Sequence, residues 1–234
     1  MIRAILLDIE GTTTPIAFVH EVLFPYARVH AREFLANNID DDNVRADVMR
    51  LHEEHAADVT NDPPPALNDD LDALVAYVEW LIARDRKSTG LKSLQGKIWR
   101  QGYTNGSLKS QVYADVAPAF ERWRARGWTI NIFSSGSTLA QQLLFAHTEA
   151  GDLTGFISAY FDTNVGRKGE AESYRKIAEA LNARPDEILF VSDVVAELDA
   201  AKEAGMQTLL SIRPGNQPQQ HAERYSAIYS FDSV

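Results

Sequence analysis

Residues 5–15 read ILLDIEGTTTP, and this stretch decides the fold. An apolar run ends at Asp8, a second acid follows at Glu10, and a glycine and three threonines come next. A short apolar run that stops at a carboxylate is typical of a buried strand of a parallel sheet. Because ligands of open α/β sheets bind beyond the carboxyl ends of the strands, Asp8 and Glu10 are candidate site residues.

Strand and helix patterns alternate through the second half of the chain. Mostly apolar strands that alternate with helices predict a parallel sheet covered by helices on both faces, a Rossmann-like α/β fold. The predicted strands are Ile2–Leu7 and those within WTINIFSSGS, GFISAYFD, EILFVSD, MQTLLSI and AIYSF; the predicted helices are Ala119–Arg126, Thr138–His147, Ala171–Leu181 and Ala196–Ala204.

The stretch from Phe18 to about Trp99 has helical spacing and almost no strand signal. It separates the first strand from the others, so we predict one α/β core of residues 1–14 and 119–234 with an all-helical insertion of residues 15–118.

Several local features of this insertion can be interpreted. Pro25 predicts a kink or break. The acidic run Asp40–Asp42 suits a helix N-terminus, and we interpret it as a solvated cap rather than a metal site. Asn61–Pro65 reads as a loop, and Leu71–Ala83 as an amphipathic helix.

Composition excludes several classes of function. The 234 residues include no cysteine, which excludes disulfides, thiolate catalysis and cysteine-ligated zinc. The formal net charge of -10 opposes binding to a nucleic-acid backbone. No apolar run approaches the roughly 18 residues that a membrane span needs. We therefore expect a cytoplasmic monomer with a small-molecule partner and neither a nucleic-acid nor a membrane partner.

Polar groups follow three of the predicted strands. Asp8 and Glu10 follow the first, Ser134 and Ser135 follow the second, and Asp193 follows EILFVS. Each group alone is more often a helix cap than a ligand-binding residue. Their coincidence at one edge of a parallel sheet favours a site.

These groups suit phosphate-ester chemistry. Asp8 and Asp193 could hold Mg²⁺, which prefers carboxylate, water and phosphate oxygens. Asp8 could attack phosphorus to form an aspartyl-phosphate, while Glu10 protonates the leaving alcohol and later activates water. Thr12 could orient the nucleophile by hydrogen bonds.

The same edge also carries groups for the phosphate oxygens and requires a fixed cation. Ser134, Ser135 and the backbone N–H groups after them could bind phosphate oxygens at a helix start. A phosphate monoester and two carboxylates sum to about -4, of which Mg²⁺ offsets half. Lys168, between a predicted strand and the next helix, is the best candidate for that cation. Arg167 is a weaker competitor, and a solvated surface lysine is the plain alternative.

Four stretches resemble the motifs of the haloacid dehalogenase superfamily: LLDIEGTT, IFSSGS, the lysine of GRKGEAESYRKIA, and ILFVSD. The usual first motif of that superfamily is Asp-x-Asp-x-Thr, and Glu10 replaces its second aspartate here. This replacement is similar to the enolase-phosphatases of methionine salvage, also called acireductone synthases. The likeness continues through FPYAR, GKIWRQGY, SSGSTLAQQLLFAHTEAGDL and RPGN.

The resemblance implies a Rossmann-like core with a helical cap after the first motif. It implies that a diketo-methylthiopentyl phosphate is enolised and dephosphorylated to an acireductone with Mg²⁺ as cofactor. Asp8 would be nucleophile and metal ligand, Glu10 would join the metal site through its backbone carbonyl, and Asp193 would complete it. Substrate contacts would come from Ser134, Ser135 and Lys168.

The resemblance leaves several residue roles open. Either Glu197 or Asp199 could supply a further acid, and the base that drives enolisation is not fixed, although Glu10 is a candidate. The cap would supply the methylthio pocket; Lys97, Trp99 and Tyr103 could line it, but aromatic residues in helices are more often core.

Two other functions compete with this interpretation. Another small-molecule phosphatase of the superfamily would share the four motifs, but Glu10 counts against it. A non-catalytic phosphate-binding module would not need Asp8, Lys168 and Asp193 intact. A dehalogenase is disfavoured because it has no use for metal ligands.

Overall fold

The computed structural model of the protein describes residues 1–59 and 62–234. The chain forms two compact units: an α/β unit of Met1–Val19 and Lys109–Val234, and a helical unit of His20–Leu108. The predicted loop Asn61–Pro65 begins outside the described residues, whereas residues 62–65 lie in an irregular segment.

The α/β unit is built on one six-stranded parallel sheet of order β3-β2-β1-β4-β5-β6. β1 is wholly buried, as its uninterrupted apolar sequence predicts for a central strand. The predicted parallel sheet and the position of each strand are confirmed. The strands are β1 Ala4–Leu7, β2 Thr129–Phe133, β3 Ile157–Phe161, β4 Ile188–Ser192, β5 Gln207–Ser211 and β6 Ala227–Ile228.

Eight α-helices accompany the sheet in the described residues, four in each unit. A π-helical turn, Phe18–Leu23, precedes α1, and Pro25 lies in the first turn of that helix instead of kinking it. The helices are α1 Phe24–Asn38, α2 Asp42–Ala56, α3 Leu71–Ala83, α4 Thr89–Thr104, α5 Val116–Ala125, α6 Thr138–Ala146, α7 Ala171–Ala180 and α8 Val195–Glu203.

Helices pack on both faces of the sheet. Ala4 and Leu6 of β1 point into a core that α7 and α8 close. Because side chains alternate along a strand, Ile5 and Leu7 point to the opposite face. There α5 packs on β2, and its Phe120 contacts Phe145 of α6. Both faces of β1 are therefore buried, and its polar groups can reach solvent only at the strand ends.

The structure corrects the predicted boundary of the insertion at residue 118. Residues 109–118 belong to the α/β unit, because the backbone of Ser110 pairs with that of His147 and the N–H of Tyr113 donates to Thr13. α5 also begins earlier than predicted, at Val116 rather than Ala119. Pro118 does not prevent this, since N–H groups of a first helical turn have no partner within the helix.

The helical unit confirms two local interpretations. The Asp41 side chain caps α2 by accepting hydrogen bonds from the N–H groups of Asn43 and Val44. Trp99 and Tyr103 are buried core residues, and the indole N–H of Trp99 donates to the Leu23 carbonyl at 2.9 Å. These aromatic rings therefore stabilise the helical unit itself. No helix of the described residues is both long and apolar enough to cross a membrane.

A buried ion pair fixes the C-terminal segment to the start of α5. Arg213 Nη2 lies 2.8 Å from Asp115 Oδ2, and the two side chains are 3% and 12% exposed. Asp115 also accepts hydrogen bonds from Phe231 N at 2.5 Å and from Ser230 Oγ at 3.2 Å. Burial alone would raise the pKa of Asp115, but the N–H of Phe231 and the Arg213 guanidinium outweigh it and lower the pKa.

The pair predicts an acid-dependent loss of stability. Because the folded-state pKa of Asp115 is below the unfolded value, its contribution is present above that value and is lost as pH falls through the folded pKa. We expect Asp115→Asn to lower the free energy of unfolding by about 3 kcal/mol near neutral pH, since Arg213 then stays buried without a charge partner.

Urea unfolding at a series of pH values checks this prediction. The deficit of Asp115→Asn should shrink as pH falls below about 5. Asp186→Asn is a matched control, because Asp186 forms an exposed pair with Arg184. An equal effect of the two substitutions would contradict a special contribution from the buried pair.

Candidate active site

The polar groups predicted at the strand ends follow neighbouring strands. Asp8 directly follows β1, Asp193 directly follows β4, and Ser134 directly follows β2. β1 pairs with β2 on one side and with β4 on the other, in the register Leu7 with Ile132 and Leu7 with Val191. The chain order reverses across β1 and β4, and such a reversal opens a crevice at the carboxyl ends of the strands.

Lys168 joins this group and contacts two acids. Its Nζ lies 2.6 Å from Asp8 Oδ1 and 2.7 Å from Glu197 Oε2, and its side chain is only 8% exposed. Burial alone would lower the pKa of Lys168, but the two carboxylates outweigh it and raise the pKa above its usual range. Lys168 is therefore a permanently charged ammonium group inside the site.

The predicted competitor for this cation lies outside the cluster. Arg167 has an 87% exposed side chain and forms a long 3.9 Å pair with Glu170. Tyr174 of α7 donates its hydroxyl to the Lys168 carbonyl at 2.7 Å, and Ser173 donates to the Arg167 carbonyl at 2.7 Å. The first turn of α7 thus anchors the loop so that Lys168, and not Arg167, points inward.

Asp8 has a fixed orientation. Its Oδ1 accepts the backbone N–H of Ile9 at 2.7 Å in addition to the Lys168 contact. Among the described residues, its other oxygen, Oδ2, has only a long 3.4 Å contact, with the hydroxyl of Ser192. One carboxylate oxygen is therefore held, and the other is only weakly engaged by the protein.

Sequence reasoning left Glu197 and Asp199 as alternatives, and the structure separates them. Glu197 contacts Lys168 and accepts the hydroxyl of Ser192 at 2.8 Å. Asp199 instead pairs with Arg224 and Tyr225. Ser192 was missed as a site residue because it is the last residue of an otherwise apolar strand.

Negative charge exceeds positive charge in this cluster. Burial, Asp8 and Glu197 raise the pKa of Asp193 to about 7. Burial and Asp8 also raise the pKa of Glu197, against the opposing effect of Lys168. Three carboxylates share one ammonium group, so a further cation at this position would be strongly favoured.

The residue chemistry fits a magnesium ion. The N-cap residue of α8 is Val194, not Asp193, so the Asp193 carboxylate does not cap this helix. Among the described residues, no three acid or histidine side chains converge as a metal-binding group. Mg²⁺ in proteins needs only one or two carboxylates, with water and substrate oxygens completing its shell. Asp8 and Asp193 satisfy that requirement.

The loop after Asp8 is tightly turned. The carbonyl of Ile9 accepts the N–H groups of Thr12, Thr13 and Thr14, and Gly11 has a left-handed φ of 67°. The hydroxyl of Thr13, rather than that of Thr12, donates to the Asp8 carbonyl, at 3.3 Å. Thr12 does not orient the Asp8 side chain as predicted, since its hydroxyl has no hydrogen-bond partner among the described residues.

Glu10 and the two serines lie in the loops after β1 and β2. Glu10 has an exposed side chain and lies two residues beyond Asp8. Ser134 is buried, and its hydroxyl accepts the N–H of Gly136 at 3.2 Å. Ser135 is half-buried.

The predicted helix start after these serines lies further along the chain. α6 begins at Thr138, Ser137 caps it, and the Thr138 N–H donates to Asp162 at 3.3 Å. Some N–H groups at the start of α6 therefore already donate hydrogen bonds within the protein.

Comparison with known proteins agrees with the motifs. Residues 2–205 match the model of the haloacid dehalogenase-like hydrolases. The chain is 54% identical over 233 residues to enolase-phosphatase E1 of Synechococcus elongatus, covering 100% of this chain and 98% of that protein. It is 47% identical to enolase-phosphatase E1 of Sorangium cellulosum, covering 99% and 97%.

A solved structure shows the same architecture. The crystal structure of the UTR4 protein of Saccharomyces cerevisiae is similar with a TM-score of 0.82 and 35% identity, and the match covers 100% of both chains. The predicted fold class, a Rossmann-like core with a helical insertion, is confirmed along the whole chain.

The geometry predicts different effects for the two basic residues of the β3–α7 loop. Lys168→Ala removes the ammonium group from between Asp8 and Glu197, so we expect hydrolysis of a phosphate monoester to fall about 10²–10³-fold in kcat. Arg167→Ala, the matched control, should hydrolyse the ester at a nearly normal rate because its side chain is exposed.

Steady-state phosphate release measures both variants. Lys168→Arg should rescue activity incompletely, because a planar guanidinium does not replace a compact ammonium. Sensitivity at Arg167 with a normal Lys168→Ala would show that the cation has been assigned to the wrong residue.

Proposed function

Because this chain belongs to the enolase-phosphatase E1 family of haloacid dehalogenase-like hydrolases, we propose that it enolises a diketo-methylthiopentyl phosphate and removes its phosphate group. The products are an acireductone and inorganic phosphate, a step of methionine salvage. The contact of Lys168 with the Asp8 carboxylate is the observation that carries this proposal for the site.

In the phosphatase half, Asp8 is the proposed nucleophile. One oxygen of its carboxylate attacks phosphorus, and the bond between phosphorus and the ester oxygen breaks. The leaving oxygen takes a proton from Glu10. Water then attacks the aspartyl-phosphate and gives a proton to Glu10, which releases phosphate and restores the Asp8 carboxylate.

The surroundings of Asp8 support this role. The Ile9 N–H and Lys168 hold Oδ1, so the carboxylate does not have to be oriented during reaction. Lys168 also brings a positive charge to the point where a phosphate dianion would meet a carboxylate. Ser134 and Ser135, which follow the neighbouring strand, are the proposed hydrogen-bond partners of the phosphate oxygens.

Magnesium is the proposed cofactor. When bound, it would supply positive charge to the phosphate oxygens and to the oxygen of the substrate carbonyl. Asp8 and Asp193 are its proposed side-chain ligands, and the backbone carbonyl of Glu10 is the proposed third protein ligand.

In the enolase half, a proton must leave the carbon next to a carbonyl group. We propose Glu10 as the base, because it lies in the catalytic loop with an exposed side chain. The carbonyl oxygen becomes the enol hydroxyl and takes its proton from solvent. The proton on Glu10 is then the one that the leaving oxygen receives in the phosphatase half. The proton that Glu10 later takes from the attacking water returns to solvent, which restores the Glu10 carboxylate for the next enolisation.

The nucleophile assignment predicts the effect of a single substitution. Asp8→Asn should abolish phosphate release, because an amide is a very poor nucleophile. Beryllium fluoride should bind the Asp8 carboxylate of the unmodified protein, and fluorine NMR can detect this complex. Asp199→Asn, the control, removes an acid that pairs with Arg224 and should retain activity. Substantial phosphate release by Asp8→Asn would exclude this residue as the nucleophile.

The metal assignment predicts a dependence on divalent ions. Excess chelator should stop turnover, and added Mg²⁺ should restore it. Ca²⁺ should bind but support turnover poorly, because its larger and looser coordination suits an in-line displacement less well. Measurement of enol absorbance and phosphate release on the same sample tests both halves, and full activity in chelator would remove the metal from the proposal.

A further inference from the structure

We infer that Asn216, in the loop after β5, positions the Gly11 turn and accepts a hydrogen bond from a water of the metal beside Asp193, an inference that rests on the proposed function. Asn216 lies 205 residues beyond Gly11 in the sequence, yet its side chain contacts the turn that follows the catalytic aspartate. It is the last residue of the RPGN stretch, to which no role has been assigned above.

The amide nitrogen of Asn216 fixes the turn. Asn216 Nδ2 donates to the carbonyl of Gly11 at 2.9 Å and to the carbonyl of Ser211 at 3.2 Å. The Ser211 hydroxyl donates to the same Gly11 carbonyl at 3.2 Å. Because both partners of Nδ2 are carbonyl oxygens, they set which end of the amide is nitrogen and direct the amide oxygen away from them.

The amide oxygen of Asn216 is directed to the side where Asp193 lies. A methyl group placed on Gly11 would lie 2.8 Å from Asn216 Oδ1 and 2.4 Å from Asp193 Oδ2. Two acceptor oxygens therefore converge beside Gly11, and neither can donate to the other. Asn216 Oδ1 is buried and has no hydrogen-bond partner within the described part of the chain.

A donor between these two oxygens would satisfy both. Mg²⁺ in proteins usually keeps several water molecules, and each carries two hydrogens. We assign Asn216 Oδ1 as acceptor of a hydrogen bond from such a water, beside the ligand Asp193. Groups that orient metal ligands in this way typically change metal affinity about 10–100-fold when they are removed.

Asn131 provides a matched control. It is also a buried asparagine, its Nδ2 donates to the Ile5 carbonyl at 3.2 Å, and its Oδ1 has no partner among the described residues. However, it lies in the middle of β2, within the sheet, and not beside Asp193. A purely structural role for Asn216 predicts that alanine at either position has the same kind of effect.

Isothermal titration of the full-length protein with Mg²⁺ tests the inference. Asn216→Ala should weaken the Mg²⁺ dissociation constant about 10-fold or more. Asn131→Ala should lower the unfolding temperature and leave Mg²⁺ affinity unchanged. If Asn216→Ala fails to fold, Asn216→Ser is used, because it keeps a short donor for the Gly11 carbonyl and lacks the amide oxygen; the same weakening is expected.

The outcomes separate this inference from the proposed function. An unmodified protein that binds no Mg²⁺ would overturn both. An unmodified protein that binds Mg²⁺, with an Asn216 variant that folds and binds it equally well, would overturn only the role of Asn216. Equal weakening by Asn131→Ala would likewise overturn it, since affinity would then report general loss of structure.

Discussion

The buried ammonium group of Lys168 is the constraint on which the site depends. Removal of a charge from water costs several kcal/mol, so Lys168 is stable at 8% exposure only because Asp8 and Glu197 contact it. These three residues come from the loop after β1, the loop after β3, and α8. The cluster therefore requires the assembled parallel sheet, and removal of Lys168 would leave two buried carboxylates without their shared cation.

The sheet order explains why such distant residues meet. β1 is central, and its neighbours β2 and β4 lie more than a hundred residues further along the chain. The helical unit is inserted between β1 and β2, yet it does not disturb the pairing of these strands. A strand end accepts an insertion without loss of ladder hydrogen bonds, so the register of β1 with β2 is kept beside the site residues.

The sequence alone predicted the parallel sheet and the strand positions, because both rest on local patterns. It also predicted Lys168 as the cation beside Asp8, because a charge count required one. It could not choose between Glu197 and Asp199. These residues are two positions apart on α8, so they lie on roughly opposite sides of the helix, and only packing decides which side meets the site. The boundary at residue 118 failed for a similar reason, because the pairing of Ser110 with His147 is a long-range contact.

The loop after Asp8 is held both by its own hydrogen bonds and by bonds from segments that are distant in the sequence. Its own turn is closed locally, with three N–H groups on the Ile9 carbonyl. Its other carbonyls are bound from elsewhere: Thr13 by the N–H of Tyr113, and Gly11 by Ser211 and Asn216. The acceptors of these bonds are backbone carbonyls, so the bonds place few demands on the side chains of the loop, except at Gly11, where any side chain would collide with Asp193. The position of this loop after Asp8 therefore depends on segments that are distant in sequence, among them the RPGN stretch that ends at Asn216.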